Sequence, residues 1–322
     1  MFKKISLIAV IIIGLVLAAA LASRKQETVL PVTQEKLAVV ASFYPLAYLA
    51  EEVGGERVTV RSVIPMGTEP HDFEPTPQDI IALRSSRVFV YNGNGLDPWA
   101  DRLRSELESA GLSVVAASQA VSVLPVREEA VEIIMDPAST EDHEEQYGYD
   151  PHIWLDPIRA RQISELIRDA LIAADPAGAA YYRAQATTLQ NRLSSLHQDY
   201  EKTLSACINR SVVVSHDAFN YLASRYKLSL YPIAGLSPDA EPSTKRLADL
   251  TTLIKEQKVS TIFFESLASS RLAETLAKET GARTAVLNPI EGLTVDDLAA
   301  GKNYESLMRD NLSALSTALV CK

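Results

Sequence analysis

The chain has 322 residues, of which 47% are hydrophobic and 22% are charged, a balance typical of globular proteins and unlike disordered or collagen-like chains. Its formal net charge of −10 at pH 7 argues against nucleic acid and anionic membrane surfaces as partners. The length predicts two domains, and the acidity is compatible with a cationic ligand.

The first segment, residues 1–22, is predicted to be a targeting element. Lys3 and Lys4 precede an uncharged apolar run of 19 residues, and the Ala-Leu-Ala that ends at Ala22 resembles a cleavage site. The run is also near the length that spans a bilayer, so a cleaved signal peptide and a retained N-terminal membrane anchor both stay open. No cysteine lies near Ala22, which argues against a lipid-modified N-terminal cysteine. Either alternative predicts an extracytoplasmic protein, in the periplasm or at the outer face of the cytoplasmic membrane.

Residues 23–176 are predicted to form a first α/β lobe. β-rich runs alternate with segments of helical spacing, which favours a parallel sheet covered on both faces. The predicted strands are Leu37–Ser42, Val58–Ile64, Arg87–Tyr91 and Leu112–Ala116. The predicted helices are Pro45–Val53, Pro77–Arg84 and Asp97–Ala110.

An acidic segment, residues 128–150, interrupts this alternation. It contains nine acidic residues, one histidine (His143) and no lysine or arginine. Because runs of like charge are usually solvated, we expect a surface loop that is dispensable for a ligand site.

A long helix is predicted over residues 177–206, where almost no helix breaker occurs. It follows another helical segment, Ile158–Ala174, and it indicates a rigid linker to a second α/β lobe, residues 207–322. The strands of that lobe are predicted at Ser211–Ser215, Leu228–Ile233, Val259–Glu265 and Arg283–Leu287. Its helices are predicted at His216–Tyr226, Ser243–Glu256, Ala268–Thr280 and Tyr304–Leu319.

Three of the five histidines are candidate ligands because they lie where α/β folds bind ligands, at strand ends or in proline-stiffened segments. His71 follows the second strand in the loop Gly-Thr-Glu-Pro-His-Asp-Phe-Glu-Pro-Thr-Pro, and His152 lies in Asp-Pro-His-Ile-Trp-Leu-Asp-Pro. His216 directly follows a strand, at a predicted helix start that would disfavour a protonated imidazole. Taken singly, each could instead be a surface, core or capping residue.

Glu291 is the candidate fourth ligand, in the turn Leu-Asn-Pro-Ile-Glu-Gly-Leu after the last strand. Asn288 is neutral, and Asp296 and Asp297 read better as capping or solvated acids. Three imidazoles and one carboxylate, two ligands from each lobe, suit tetrahedral Zn²⁺. An ordinary exposed glutamate is the alternative for Glu291.

The two cysteines, Cys207 and Cys321, argue against a thiolate zinc site because no Cys-x-x-Cys pair is present. In an oxidising compartment they could form a disulfide, and two buried free thiols are the alternative.

At these motifs the sequence resembles the cluster A-I solute-binding proteins of bacterial ABC importers, which are receptors for zinc, manganese or iron. The resemblance rests on the segments around His71 and His152, the Ser-His-Asp-Ala-Phe-Asn-Tyr-Leu-Ala junction at His216 and the turn at Glu291. It implies two parallel-sheet α/β lobes joined by a single long rigid helix, with the metal in the interlobe cleft. It further implies Zn²⁺ as transported ligand, the membrane permease of an ABC importer as partner, a monomer and no catalysis.

Alternative functions stay open on the sequence alone. Manganese-type relatives tend to carry glutamate at position 216, so His216 favours the zinc branch, and a manganese or iron receptor is the nearest alternative. A zinc-dependent hydrolase would need an open coordination position, and no His-Glu-x-x-His motif is present. An adhesin is a third possibility.

Overall fold

A computed structural model of the chain describes residues 35–126 and 148–322. The predicted targeting segment, residues 1–22, lies outside the described residues, as does the acidic segment up to position 147. In the part of the chain that is described, no helix is both long enough and apolar enough to cross a membrane.

The first sheet has four parallel strands in the order β2-β1-β3-β4. These are β1 (Leu37–Ala41), β2 (Val58–Ser62), β3 (Val88–Tyr91) and β4 (Ser113–Ala116). The connecting helices are α1 (Tyr44–Gly54), α2 (Pro77–Arg84) and α3 (Pro98–Ser109). Each helix has proline in its first turn, where the missing N–H costs no hydrogen bond, and Thr76 adds a capping box to α2.

Two helices lead from the first lobe to the second: α4 (Pro157–Ala174) and α5 (Ala179–Ser205). A short 3-10 turn, Pro176–Gly178, separates them, and α5 spans 27 residues. The helix α5 packs along α1 and α4 of the first lobe. The predicted linker is therefore present with ends shifted by one or two residues.

The second sheet repeats the strand order of the first, as β6-β5-β7-β8, and it is also parallel. Its strands are β5 (Ser211–Val214), β6 (Ser229–Pro232), β7 (Thr261–Phe264) and β8 (Arg283–Val286). The helices are α6 (Asn220–Tyr226), α7 (Thr244–Glu256), α8 (Arg271–Thr280), α9 (Val295–Ala299) and α10 (Tyr304–Ala318). The predicted class, two α/β lobes joined by a long helix, is confirmed.

The helix starts predicted at His216 and Ala268 are wrong, because these helices begin at Asn220 and Arg271, and the first error bears on His216. The helix predicted at His216–Tyr226 begins only at Asn220, because residues 215–217 form a bend after β5. His216 therefore does not occupy a helix start, and the expected effect of a helix N-terminus on its imidazole does not apply.

A continuous apolar core connects the two lobes through α5. Leu189, Leu193 and Leu196 are fully buried along this helix and belong to one cluster with residues of both sheets. On the far face of each sheet lies a smaller separate cluster. Burial of both faces explains why β3 and β5 read as nearly continuous apolar runs.

Polar contacts reinforce this connection between the lobes. Arg192 on α5 pairs with Glu52 of α1 and, at 2.8 Å, with Glu305 of α10. The hydroxyl of Tyr48 donates to the same Glu305 carboxylate at 2.7 Å. Elements of the first lobe, the linker helix and the second lobe thus meet at one charged cluster.

A disulfide joins Cys207, just after α5, to Cys321 at the carboxyl end of the described chain. The two residues also form an isolated antiparallel bridge. Of the two possibilities left open for these cysteines, the structure has the disulfide.

Candidate metal centre

All four candidate residues come together in one buried group formed by His71, His152, His216 and Glu291. His71 lies in the loop between β2 and α2, and His152 lies just before α4. From the second lobe, His216 follows β5 and Glu291 lies in the loop between β8 and α9. The group therefore lies between the lobes, beyond the carboxyl ends of strands, as parallel sheets favour.

The separations between donor atoms match a tetrahedron around one ion. Nε2 of His152 is 3.3 Å from Nε2 of His71 and 3.3 Å from Nε2 of His216. Oε1 of Glu291 lies 3.5, 3.7 and 3.6 Å from Nε2 of His71, His152 and His216, respectively. Ligands ~2.0–2.2 Å from a tetrahedral zinc are ~3.3–3.6 Å apart, so the spacing fits this ion without rearrangement.

Carboxylates outside the group orient two of the imidazoles. Asp150 accepts from Nδ1 of His152 at 2.8 Å, and Glu265 lies 2.5 Å from Nδ1 of His216. The hydroxyl of Ser215 also donates to Glu265. A carboxylate on Nδ1 leaves Nε2 free to bind a metal, as in carboxylate–histidine–zinc arrangements.

Two polar atoms in the group are buried without a hydrogen-bond partner among the described residues: Oε1 of Glu291 and Nδ1 of His71. An unsatisfied carboxylate oxygen surrounded by three imidazoles is costly unless it binds something. The donor set and this unsatisfied oxygen both fit a divalent cation, and three nitrogen donors favour Zn²⁺ over Mn²⁺.

The protonation balance of the group depends on its own charges. Burial alone would raise the pKa of Glu291, but the neighbouring His216 and His71 outweigh it and lower the pKa. Burial opposes the charged form of His216, yet Glu265 and Glu291 raise its pKa well above 6.5. At His152 burial dominates over Asp150, so the pKa falls. In the metal-free protein Glu265 and Glu291 thus favour the protonated form of the His216 imidazole.

The loop that carries Glu291 has an unusual backbone. Ile290 has φ +59, the left-handed region, although it is β-branched. Such a residue costs roughly 1–3 kcal/mol and persists only where surrounding contacts hold it. The N–H of Ile290 donates to Oδ1 of Asn288 at 2.7 Å. Asn288 itself exchanges two hydrogen bonds with Asn311, at 2.8 and 2.7 Å.

The other candidates of this loop do not join the group. The carboxylate of Asp297 forms a capping box with Thr294 at the start of α9, as the sequence predicted for a capping acid. Asn288 pairs with Asn311 as described, and Asp296 lies in the first turn of α9.

Sequence reasoning missed the roles of Asp150 and Glu265. The acidic composition predicts that Asp150 lies in a solvated loop, but it is fully buried against His152, so the prediction is wrong for this residue. The signal available was its position two residues before a candidate ligand. The sequence predicts only that Glu265 ends a strand, and no local pattern links it to His216, 49 positions away.

Of the two other histidines, His197 is the one in the described part of the chain, and it lies apart from the group. Nδ1 of His197, on α5, lies 3.0 Å from the hydroxyl oxygen of Tyr226. His143 lies outside the described residues.

A buried group of three imidazoles and one carboxylate, shared by two α/β lobes, has the donor set of a metal centre. The family described as zinc-uptake complex component A, periplasmic, matches residues 39–318. The chain belongs to this family.

Individual relatives agree with this assignment. The high-affinity zinc uptake system protein ZnuA of Bacillus subtilis is 35% identical over 322 residues, which cover all of both chains. The zinc-binding lipoprotein AdcA of Streptococcus pneumoniae is 39% identical over 316 residues, 97% of this chain and 60% of the relative. The chain thus spans about 60% of the length of the AdcA proteins.

Among solved structures, the Zn(II)-bound ZnuA-like domain of Streptococcus pneumoniae AdcA is similar, with a TM-score of 0.75 and 38% identity. The match covers 88% of this chain and 99% of that domain. The likeness therefore extends over both lobes of the described chain.

Proposed function

We propose that this protein is an extracytoplasmic receptor that binds one Zn²⁺ between its lobes and delivers it to an ABC importer. The observation that carries the proposal is the buried tetrahedron of His71, His152, His216 and Glu291, whose donor atoms have the spacing of zinc ligands. The relatives are named for zinc uptake and zinc binding, which supports the same ligand.

The expected partner is the membrane permease of the importer, and we propose that the receptor acts as a monomer and without nucleic acid. Location outside the cytoplasm is supported by the family description as periplasmic and by the Cys207–Cys321 disulfide, which suits an oxidising compartment. Residues 1–22 would supply the export signal or the anchor, and residues 23–176, 177–206 and 207–322 would be first lobe, linker and second lobe.

Transport, rather than catalysis, follows from the closed donor set. Four protein ligands complete a tetrahedron and leave no position for an activated water, which a zinc hydrolase requires. Because two ligands come from each lobe, zinc binding and lobe position are energetically linked, as release to a partner requires.

The test is a competition titration of metal-free protein with Zn²⁺ and Mn²⁺ against a chromophoric chelator. We expect one Zn²⁺ per chain, bound more tightly than Mn²⁺. Substituting His71, His152 or His216 by alanine should weaken zinc binding greatly while circular dichroism stays native. His197→Ala is the matched control, since this histidine contacts Tyr226 outside the centre. Unchanged zinc affinity in all three ligand variants would overturn the proposal.

A further inference from the structure

Trp154 directly connects the two segments that bring ligands from opposite lobes. Its indole N–H donates to the carbonyl oxygen of Pro289 at 2.7 Å, and the residue is fully buried. Trp154 lies two residues after His152, and Pro289 lies two residues before Glu291. The hydroxyl of Tyr304, on α10, donates back to the carbonyl oxygen of Trp154 at 2.5 Å.

The peptide bond between Pro289 and Ile290 is held at both of its polar atoms. Trp154 binds the carbonyl oxygen, and the side chain of Asn288 accepts from the Ile290 N–H at 2.7 Å. Because a peptide unit is planar, two hydrogen bonds on its opposite edges fix the orientation of the whole plane. That orientation sets the left-handed φ of Ile290 and, through it, the direction in which Glu291 leaves the backbone.

The left-handed conformation needs such support because Ile290 is β-branched and would favour negative φ on its own. Asn288 is itself immobilised by its two hydrogen bonds with Asn311, so one edge of the plane rests on the second lobe. The other edge rests on Trp154, which belongs to the first lobe. The position of the carboxylate therefore depends on a contact made across the interface between the lobes.

We propose that Trp154 is a positioning residue for Glu291: its indole N–H holds the strained Pro289–Ile290 peptide so that the carboxylate completes the three-imidazole centre. This inference rests on the proposed function, since the centre it serves is the zinc site. Trp154 also couples lobe separation to the position of Glu291. When the lobes separate, the indole hydrogen bond breaks and the backbone before Glu291 is released at the same time.

The chain offers a matched control in its only other tryptophan, Trp99. Trp99 is also buried, but its indole N–H has no hydrogen-bond partner among the described residues. Replacing Trp99 by phenylalanine removes an equivalent N–H from a core without removing a contact to the centre. Trp154→Phe removes the N–H while keeping an aromatic ring against Phe43.

Chelator competition measures the zinc affinity of five proteins. They are the wild type, Trp154→Phe, Glu291→Gln, the Trp154→Phe, Glu291→Gln double variant and the control Trp99→Phe. Trp154→Phe should weaken zinc binding ~5-fold or more, with ~150-fold as the ceiling, which is reached only if the whole cost of the unpaired Pro289 carbonyl oxygen falls on the zinc-bound state. In the Glu291→Gln background the same change should have an effect of at most about threefold, because the residue through which it acts is already altered. Trp99→Phe should bind zinc like the wild type.

A second measurement follows the indole hydrogen bond itself. The two indole N–H groups give two resonances in a ¹⁵N spectrum, and Trp99→Phe assigns them. In the metal-free protein the indole N–H of Trp154, which donates to Pro289, should exchange with solvent deuterium more slowly than that of Trp99, which has no partner among the described residues. Zinc should slow exchange of the Trp154 N–H further, because zinc binding holds Glu291 and, with it, the Pro289–Ile290 peptide that accepts this hydrogen bond.

The outcomes separate the two proposals. Failure of the wild type to bind zinc would overturn the proposed function and the positioning role with it. Wild-type binding with an unchanged affinity in Trp154→Phe would overturn the positioning role alone. An equal loss in the wild-type and Glu291→Gln backgrounds would also overturn it, since Trp154 would then act through His152 or through general stability.

Discussion

Asp150 accepts two hydrogen bonds from His152 through the same oxygen: one from Nδ1 at 2.8 Å and one from the backbone N–H at 2.9 Å. The second lobe holds Asp150 in turn, because Asn220 donates to its other carboxylate oxygen at 3.0 Å and Tyr221 donates to its carbonyl oxygen at 2.7 Å. This anchoring fixes the tautomer of His152 and directs Nε2 to the centre.

Asp150→Asn should therefore lower zinc affinity by roughly 10- to 100-fold, the usual effect of losing a carboxylate behind a ligating histidine. The amide keeps the size of the side chain but removes its charge. Asp169→Asn is the control, because that carboxylate is exposed on α4 and pairs with its neighbour Arg168. Chelator competition measures both affinities, and an Asp150→Asn protein that binds zinc like the Asp169→Asn protein would contradict the orienting role.

Zinc binding should release about one proton at pH 7, because the pKa of His216 in the metal-free protein lies well above 6.5 and a bound imidazole must be neutral. The sign follows from this: apparent zinc affinity rises with pH up to the raised pKa of His216 and levels off above it. His152 adds little, since its lowered pKa leaves it neutral at pH 7.

Titration calorimetry in buffers with different ionisation enthalpies measures this proton count. Glu265→Gln should reduce it, because Glu265 stabilises the imidazolium of His216. A binding enthalpy that is identical in every buffer would show that His216 is already neutral before zinc arrives.

Local sequence patterns were sufficient for the framework and for the four candidate ligands. β-rich runs alternating with helical segments predicted both parallel sheets, since this pattern reflects burial of the strands on two faces. Proline-stiffened loops and strand ends marked His71, His152, His216 and Glu291. The structure places these side chains in one group, and their binding to zinc stays a prediction.

Contacts between distant segments were beyond those patterns. Asp150 lies at the end of an acidic run whose composition indicates solvent, yet contacts with Tyr221 and Asn220 of the second lobe bury it. The hydrogen bond that supports the Pro289–Ile290 peptide comes from Trp154 in another segment, and nothing local predicts the left-handed backbone of Ile290. The predicted start of α6 is wrong because the chain bends at residues 215–217, so that the helix begins only at Asn220.

Zinc should raise the melting temperature by about 10 °C when free zinc exceeds the dissociation constant about 1,000-fold. That excess adds ~4 kcal/mol to the free energy of unfolding, if the unfolded chain does not bind zinc. For a protein of this size, each kcal/mol corresponds to ~2–4 °C. Differential scanning calorimetry measures the shift, which should be smaller in mild acid because protons compete for the imidazoles. His152→Ala should show little shift, and a wild-type melting temperature indifferent to zinc would contradict tight binding.

Removing the disulfide should lower stability without changing zinc affinity. Cys207 and Cys321 are 114 positions apart, and closing a loop of that length restricts the unfolded chain by an amount worth ~2–5 kcal/mol. Cys207 precedes the amino end of β5, whereas His216 follows its carboxyl end, so the disulfide and the centre lie at opposite ends of the strand. The double variant Cys207→Ser, Cys321→Ser should therefore unfold at lower denaturant concentration and still bind one zinc with wild-type affinity. Wild-type protein under reducing conditions is the control and should match the double variant. Loss of zinc affinity in a variant that remains folded would show that the disulfide also shapes the centre.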